Sequence, residues 1–263
     1  MAELLPELHE HQAAGRIAEI YAEIRIFSGV PYVSSLQRYL ATMQGVLEWA
    51  WDAVRPALAH GAIQETGWRL ARDVRIAPAK PFAGSADGAA VRNIAENFVR
   101  VSPVNLMTGA CLNLLLTGTV PAGSGFAETW TPPAMLPPMP GNADPAALDP
   151  ATRSNLECFM TEVDGTPFLP ALYRQLAHFP DVLAWLADEL GPRIAAPETR
   201  AAGAAFRSAA YAAAPAIVAR LPGLPTGPAP DAATTQRVLA TIARYAETSP
   251  EMTMFGQLIL DAL

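Results

Sequence analysis

The chain has 263 residues, of which 51 % are hydrophobic and 16 % charged, a composition too apolar for disorder and typical of a well-packed interior. Its formal net charge is −7, from 18 basic and 25 acidic residues, and the basic residues form no cluster, which argues against a nucleic-acid partner. The longest apolar stretch, residues 106–120, is interrupted by polar residues and is shorter than the about 20 residues of a membrane span, so we expect a buried helix and no membrane partner. The acidic N-terminal segment has no basic region before an apolar run, so we expect no targeting peptide and a cytoplasmic protein.

Helical periodicity dominates the chain. In residues 17–24 the apolar side chains recur at i, i+3, i+4 and i+7, and the same spacing returns in residues 46–54 and 182–190. No run of residues alternates in the manner of a half-buried strand. The pattern therefore predicts an all-α protein.

Proline is tolerated in the first turn of a helix, so four prolines of the chain are predicted to mark helix starts. Ser102 and Ser249 each precede one of them and are predicted to act as N-caps. The four prolines are Pro31, Pro103, Pro180 and Pro250.

Residues 31–59 and 167–195 are two copies of one pattern, related by an offset of 136 without a gap. Eleven of the 29 aligned positions are identical, among them Arg38/Arg174 and Trp49/Trp185. The ends of the two copies match at an offset of 147, where Ser102-Pro103 aligns with residues 249–250. This period is too long for a solenoid, so it predicts a duplicated domain that folds as an intramolecular pseudo-dimer.

A proline-rich segment separates the two copies. Residues 120–150 carry eight of the 25 prolines, so we expect an extended connector over the surface rather than a helix. The predicted organisation is a first helical unit at 1–119, the connector at 120–150 and a second helical unit at 151–263.

Several side chains are candidates for a site between the units. Arg38 and Arg174 lie in apolar helices, where each needs a partner; they either form ion pairs, with Asp52 and Asp188 as candidate partners, or clamp an anionic ligand. Tyr32 and Phe168 occupy equivalent positions and either belong to the core or line a shared apolar cavity.

Metal and redox chemistry find little support in the sequence. The four histidines lack the spacing of metal ligands, and the glycine-rich segments 83–88 and 122–125 do not fit phosphate-binding patterns. Cys111 and Cys158 sit among apolar residues and are predicted to be buried, reduced thiols.

The segment from Ile20-Tyr21-Ala22 to Trp49-Ala50-Trp51, with its counterpart YRQLAHFPD at residues 173–181, resembles the group I 2-haloacid dehalogenases, which act on both D- and L-2-haloacids. The resemblance covers nearly the whole chain, including the duplicated unit and the connector. It implies a hydrolase that needs no metal or organic cofactor and takes a small carboxylic acid as its partner. It also leaves homodimerisation open.

The resemblance further implies that an aspartate activates a water, which displaces halide with inversion and without a covalent enzyme ester. Asn105 matches the asparagine that holds the water or substrate, Tyr32 matches the aromatic lining, and Glu65 matches a helical acid of the first unit. The expected aspartate falls on Leu172, which follows Ala171 and is equated with Leu36 by the repeat. Leucine cannot accept a proton, so this chain is predicted to be a divergent member that lacks the usual catalytic aspartate.

Two functions therefore stay open. In the first, another acid serves as the base, with Asp164, Glu162 and Glu65 as candidates. In the second, the chain is a relative that does not dehalogenate and keeps the cavity for a small ligand or another small acid. The candidate catalytic residues are Asn105, Asp164 and Glu65, and the candidate substrate-binding residues are Tyr32, Phe168, Ala171, Leu172 and Leu36.

Overall fold

A computed structural model describes residues 6–84, 88–127, 129–163 and 166–263. Over these residues the chain forms eleven α-helices and two short strands, with 3₁₀ turns at Glu10–Gln12 and Pro145–Ala147. The helices are α1 (Gly15–Ser28), α2 (Ser35–Leu40), α3 (Val46–Ala59), α4 (Ala62–Asp73), α5 (Gly88–Leu116), α6 (Pro150–Glu157), α7 (Ala171–Leu176), α8 (Pro180–Glu189), α9 (Gly191–Ile194), α10 (Pro197–Val218) and α11 (Ala232–Ala262). The predicted all-α class is confirmed.

One detail of that prediction is wrong, because the chain contains a small hairpin. Strands β1 (Thr161–Val163) and β2 (Thr166–Phe168) pair antiparallel, with Thr161 opposite Phe168. Strands of three residues are too short to show an alternating pattern in the sequence. The hairpin leads directly into α7.

The interior divides into two hydrophobic cores, and each draws on residues from both sides of the connector. The first core combines α1–α3 and residues 104–115 of α5 with residues 206–246 of α10 and α11. The second core combines α6–α8 and residues 252–259 of α11 with residues 91–98 of α5. The long helices α5 and α11 therefore each pass through both cores, and the division into units 1–119 and 151–263 stays a prediction about the repeat.

Three of the four prolines do not begin helices, so that prediction is wrong for them: α2 begins at Ser35, four residues after Pro31. Pro103 lies within α5 and Pro250 within α11. Ser249 is not an N-cap, since its hydroxyl donates to the carbonyl of Tyr245 at 2.7 Å, one turn back. The long packed faces of α5 and α11 override the local preference of proline for a helix start.

Helices α5 and α11 pack closely because glycines stand at their contact. A Cβ added at Gly109 would lie 3.2 Å from Ile242 Cγ2, and one added at Gly256 would lie 2.8 Å from Val99 Cγ2. These glycines are also the pair equated by the offset of 147. Each helix thus contributes one glycine to the seam.

Helix α5 also meets the length and composition of a membrane span. Two thirds of its most apolar window (67 %) is buried inside the protein, and the core helix of a soluble protein meets the same criteria. The cytoplasmic location stays a prediction.

Over residues 120–127 and 129–144 the connector is extended, as predicted, up to the 3₁₀ turn at residue 145, and its last residue, Pro150, begins α6. Both halves of the protein hold it. Asn93 of α5 donates to the carbonyls of Pro137 and Pro138 at 3.2 and 3.0 Å, and the backbone N–H of Ala143 donates to the carbonyl of Arg174 at 3.0 Å. These contacts fix residues 137–143 against the middle of the molecule.

Replacing Gly67 by alanine should lower the free energy of unfolding by about 1–3 kcal/mol, the usual effect of overpacking. A Cβ at Gly67 of α4 would lie 2.8 Å from the carbonyl oxygen of Pro103, a backbone atom of α5 that cannot move aside cheaply. Urea denaturation measures the loss. The matched control is Gly203→Ala in α10, where the nearest atom is 3.4 Å away and we expect unchanged or slightly higher stability. Equal effects of the two substitutions would contradict this packing.

Candidate functional site

A cavity of about 330 Å³ lies where the middle of α5 meets the middle of α11. This central cavity is also bounded by residues 31–38, by the end of the connector at 138–142 and by α7. A volume of this size suits a small organic molecule. Its lining therefore combines the two sequence units and the connector.

Four pairs of residues equated by the offset of 147 lie on this one cavity, and each pair has one member on α5 and the other on α11. This arrangement is what a pseudo-two-fold axis through the seam would produce, and the pseudo-dimer itself stays a prediction. The pairs are Phe98/Tyr245, Val101/Thr248, Ser102/Ser249 and Asn105/Met252.

Asn105 is the only polar member of its pair on the central cavity, because its equivalent is the apolar Met252. Its Oδ1 accepts a hydrogen bond from Gln37 Nε2 at 3.1 Å and lies 3.2 Å from Ser34 Oγ, whose hydroxyl also donates to Gln37 Oε1 and so orients that amide. Over the described part of the chain, all of its hydrogen bonds go to Oδ1, so Nδ2 is left as a donor. The fixed oxygen sets the orientation of that donor.

Asn105 also lines a second, smaller cavity on the side of the first core. This cavity holds about 30 Å³ and is mostly apolar, with Gln37 and Thr108 as further polar contributors. The volume has room for a water molecule with polar partners. Leu36, a predicted substrate-binding residue, lines this smaller cavity.

Tyr32 and Ala171, which were predicted to bind substrate, line the central cavity. The hydroxyl of Tyr32 is buried without a hydrogen-bond partner among the described residues, and its ring lies 6.2 Å from that of Phe98. Burial raises the pKa of Tyr32 well above its ordinary value, so the phenol stays neutral. A buried hydroxyl of this kind can donate to a ligand.

Other predicted residues lie elsewhere. Leu172 is fully buried in the second core, and the described lining of the central cavity does not include it. Glu65 lines a separate pocket beside α10, where its carboxylate accepts from Trp130 Nε1 at 3.2 Å. The backbone of Phe168 ends strand β2, its side chain lies outside the described part, and Asp164 lies outside the described residues altogether.

The partners predicted for the two repeat arginines, Asp52 and Asp188, are wrong, although Arg38 does form an ion pair. Arg38 pairs with Glu7 at 2.7 Å and donates to the carbonyl of Val33 at 2.8 Å. Glu7 reaches Arg38 because the N-terminal segment crosses α2, where the N–H of Leu8 donates to the carbonyl of Arg38 at 3.0 Å. Asp52 instead binds Arg16 at 2.9 Å, and Asp188 is exposed.

Sequence reasoning missed part of the lining. Gln175 is 8 % exposed, faces the central cavity, and its Oε1 has no hydrogen-bond partner among the described residues. Tyr245, whose pKa burial raises to about 12, lies on the same cavity. The offset of 147 equates Tyr245 with Phe98 and could have indicated it, whereas no sequence signal indicates residues 138–142.

No aspartate or glutamate belongs to the described lining of the central cavity. The nearest carboxyl along α11 is Glu251, between lining residues 249 and 252, and it turns toward the second core. Its Oε1 accepts from the hydroxyl of Tyr173 at 2.7 Å, and burial raises the pKa of Glu251 to about 7. A carboxyl held this way acts as a structural hydrogen-bond partner.

Metal-ligating and thiol groups do not gather at the cavity. Within the described ranges, no three His, Cys, Asp or Glu side chains lie close enough to hold a metal ion. Cys111 is buried and its pKa is raised to about 12 by burial, whereas Cys158 is exposed, contrary to the prediction that both are buried. Cys158 lies at the end of the short helix α6, where its side chain reaches solvent.

Three solved structures share this fold over nearly their whole length. The first is a D-2-haloacid dehalogenase mutant in complex with D-2-CPA, which has a TM-score of 0.75 at 19 % identity. The aligned region covers 100 % of this chain and 97 % of that chain. A D-2-haloacid dehalogenase with L-LA has a TM-score of 0.72 at 18 % identity, covering 99 % of this chain and 96 % of its own. A further D-2-haloacid dehalogenase mutant has a TM-score of 0.70 at 20 % identity, and the aligned region covers 98 % of this chain and 97 % of that chain.

No protein-family model matches the sequence, and no curated protein matches it. The chain therefore has the all-α fold of the D-2-haloacid dehalogenases at low sequence identity. The resemblance predicted from residues 20–51 and 173–181 is confirmed at the level of the fold.

Proposed function

We propose that the chain is a divergent, dehalogenase-like hydrolase that binds a small 2-substituted carboxylic acid in the central cavity. The observation that carries this proposal is Asn105, whose oxygen is fixed by Gln37 and Ser34 while its Nδ2 stays available as a donor. Asn105 lines both the central cavity, which can hold a small acid, and the smaller cavity of about 30 Å³, which can hold a water. The similar solved structures share this fold.

The proposed reaction is a direct displacement. A water held near Asn105 attacks carbon 2, the carbon–halogen bond breaks, and the halide leaves with the bonding electron pair. A base takes the proton of the water, so the products are a 2-hydroxy acid, halide and a proton on the base. Asp164 is the proposed base, because it precedes α7 in the chain and the described lining provides no carboxylate.

The second candidate function is a relative that binds small acids without removing halide. Leu172 favours it, since this residue stands where the resemblance implies the aspartate and lies fully buried in the second core. The described lining of the central cavity contains no carboxylate, which also favours this second candidate. Under this candidate the chain binds a small carboxylic acid and releases no halide.

Halide release from D- and L-2-chloropropionate separates the two candidates. The hydrolase proposal predicts release by the wild type, no release by Asp164→Asn, and a loss of about 100-fold for Asn105→Ala, because the water is no longer positioned. Asn113→Ala, on the same helix but outside the described lining of the central cavity, is the matched control and should keep full activity. Binding without halide release would favour the second candidate, and full activity in both Asp164→Asn and Asn105→Ala would contradict the proposed mechanism.

A further inference from the structure

The central cavity has two different ends, because α5 and α11 pack against each other in opposite directions. Gly109, in the second half of α5, faces Ile242 in the first half of α11. Gly256, in the second half of α11, faces Val99 in the first half of α5. The first lining residues of α5 therefore share one end of the cavity with the last lining residues of α11, and the other end combines the remaining ones.

The end beside the first core is polar, and we call it the polar end. Asn105 of α5 and Tyr245 of α11 line it, together with Ser34, Ser35 and Arg38 from the segment that opens α2. Asn105 Oδ1 lies 3.2 Å from Ser34 Oγ. Ser35 Oγ accepts from Arg38 Nη2 at 3.3 Å and hydrogen-bonds with Tyr245. Donors gathered in this way, the Nδ2 of Asn105 among them, suit the carboxylate of a ligand.

The opposite end, beside the second core, is mainly apolar, and we call it the apolar end. Phe98 of α5 and Met252 of α11 line it, and Met139 lines the cavity from the connector. Phe98 and Met252 belong to the second core, and Met139 packs against it. The ring of Tyr32 lies 6.2 Å from that of Phe98 and extends this surface. Apolar side chains of this kind favour a ligand group that removes their surface from water.

The distance between the two ends is too long for the shortest acids. Asn105 and Phe98 are seven residues apart on α5, which corresponds to about 10 Å along the helix axis. An acid of three carbons, held by its carboxylate at the polar end, cannot extend that far. A ligand with a larger apolar side chain can reach the apolar end, and the cavity volume of about 330 Å³ accommodates it.

The side chains of the apolar end favour an aromatic group over an aliphatic one. Aromatic rings stabilise each other beyond the area that they bury, and Phe98 and Tyr32 offer two rings. The sulfurs of Met139 and Met252 add favourable contacts with a ring. The edge of an aromatic ring is electropositive, so it also suits the Oε1 of Gln175. That oxygen lines the cavity from α7 and has no hydrogen-bond partner among the described residues.

We propose that the apolar end binds an aromatic side chain of the ligand, so that the preferred ligand is a 2-substituted 3-arylpropionic acid rather than a three-carbon acid. This inference rests on the proposed function, which places the carboxylate of the ligand in the central cavity. The carboxylate lies at the polar end beside Asn105, and the ring packs on Phe98, Met139 and Met252. The ring therefore sets the preference among acids that share the same carboxylate.

Calorimetric titration with lactate and 3-phenyllactate tests the inference, because these two 2-hydroxy acids differ only by the ring. Within one enantiomer, we expect 3-phenyllactate to bind the wild type at least roughly tenfold more tightly than lactate. 3-Cyclohexyllactate, which carries an aliphatic ring of similar size, should bind less tightly than 3-phenyllactate.

Met139→Ser should lower the preference for 3-phenyllactate over lactate by at least roughly threefold, because Met139 contacts the ring and not the carboxylate. The affinity for lactate should stay unchanged. Met139 is only partly buried, so the variant should fold, which thermal denaturation checks. Met135→Ser is the matched control, since Met135 lies on the same connector, is 47 % exposed and is outside the described lining of the cavity.

The outcomes separate this inference from the proposed function. Equal binding of lactate and 3-phenyllactate would overturn the aromatic site and leave the central cavity as a site for three-carbon acids. The inference would also be overturned if 3-cyclohexyllactate bound as tightly as 3-phenyllactate, or if Met139→Ser lost no more of the preference than Met135→Ser. Binding of none of the three acids would overturn both proposals.

Discussion

Leu172→Asp should lower the free energy of unfolding at pH 7 by about 3 kcal/mol or more, because it places a carboxylate in an apolar core. Leu172 is fully buried in the second core, and the described lining of the central cavity does not include it. Burial should raise the pKa of the new carboxyl, so part of the loss should be recovered below about pH 5. Urea denaturation at pH 7 and pH 5 measures both effects.

The neighbouring residue provides the matched control. Ala171 is only partly buried and lines the central cavity, so Ala171→Asp can keep its carboxylate hydrated and should be clearly less destabilising than Leu172→Asp. We also expect Leu172→Asp to release no more halide than the wild type. A Leu172→Asp protein that is as stable as the wild type and gains halide release would show that position 172 faces the ligand.

Glu251→Gln should remove a pH dependence of stability that the wild type carries. Burial raises the pKa of Glu251 from 4.5 to about 7, so the folded protein favours the protonated carboxyl. Its stabilising contribution is therefore fully present below about pH 4.5 and is lost as the pH rises through about 7. The loss amounts to about 3 kcal/mol between these limits.

Glutamine keeps the oxygen that accepts from the Tyr173 hydroxyl at 2.7 Å and cannot ionise. Measured by urea denaturation from pH 4 to pH 8, the stability of Glu251→Gln relative to the wild type should rise by about 3 kcal/mol. Glu247→Gln, one turn earlier on α11 and 60 % exposed, should leave the pH dependence nearly unchanged. A wild type and Glu251→Gln with parallel pH profiles would mean that Glu251 titrates normally.

Local spacing predicted the helices well and their ends less well. Residues 17–24 and 46–54 lie within α1 and α3, because apolar residues at helical spacing form a face that must be buried. The helix starts predicted at Pro103 and Pro250 are wrong, because α5 and α11 pack against each other and both helices continue past these prolines. Tertiary contact of that kind leaves no local signal.

The candidate site was predicted in part. Asn105, Tyr32 and Ala171 came from the family resemblance and line the central cavity. The contribution of residues 138–142 depends on how the connector crosses the molecule, which its composition does not specify. Gln175 was overlooked because a single buried amide becomes distinctive only when its missing hydrogen-bond partner is known.

The central claim is that the cavity beside Asn105 binds a small 2-substituted carboxylic acid. Calorimetric titration of the wild type and of Asn105→Ala with D- and L-2-chloropropionate tests it most directly. We expect the wild type to bind at least one enantiomer with one site per chain, and Asn105→Ala to bind it at least roughly tenfold more weakly, since the Nδ2 donor is lost. Absence of binding to the wild type, or equal affinity in Asn105→Ala, would contradict the account.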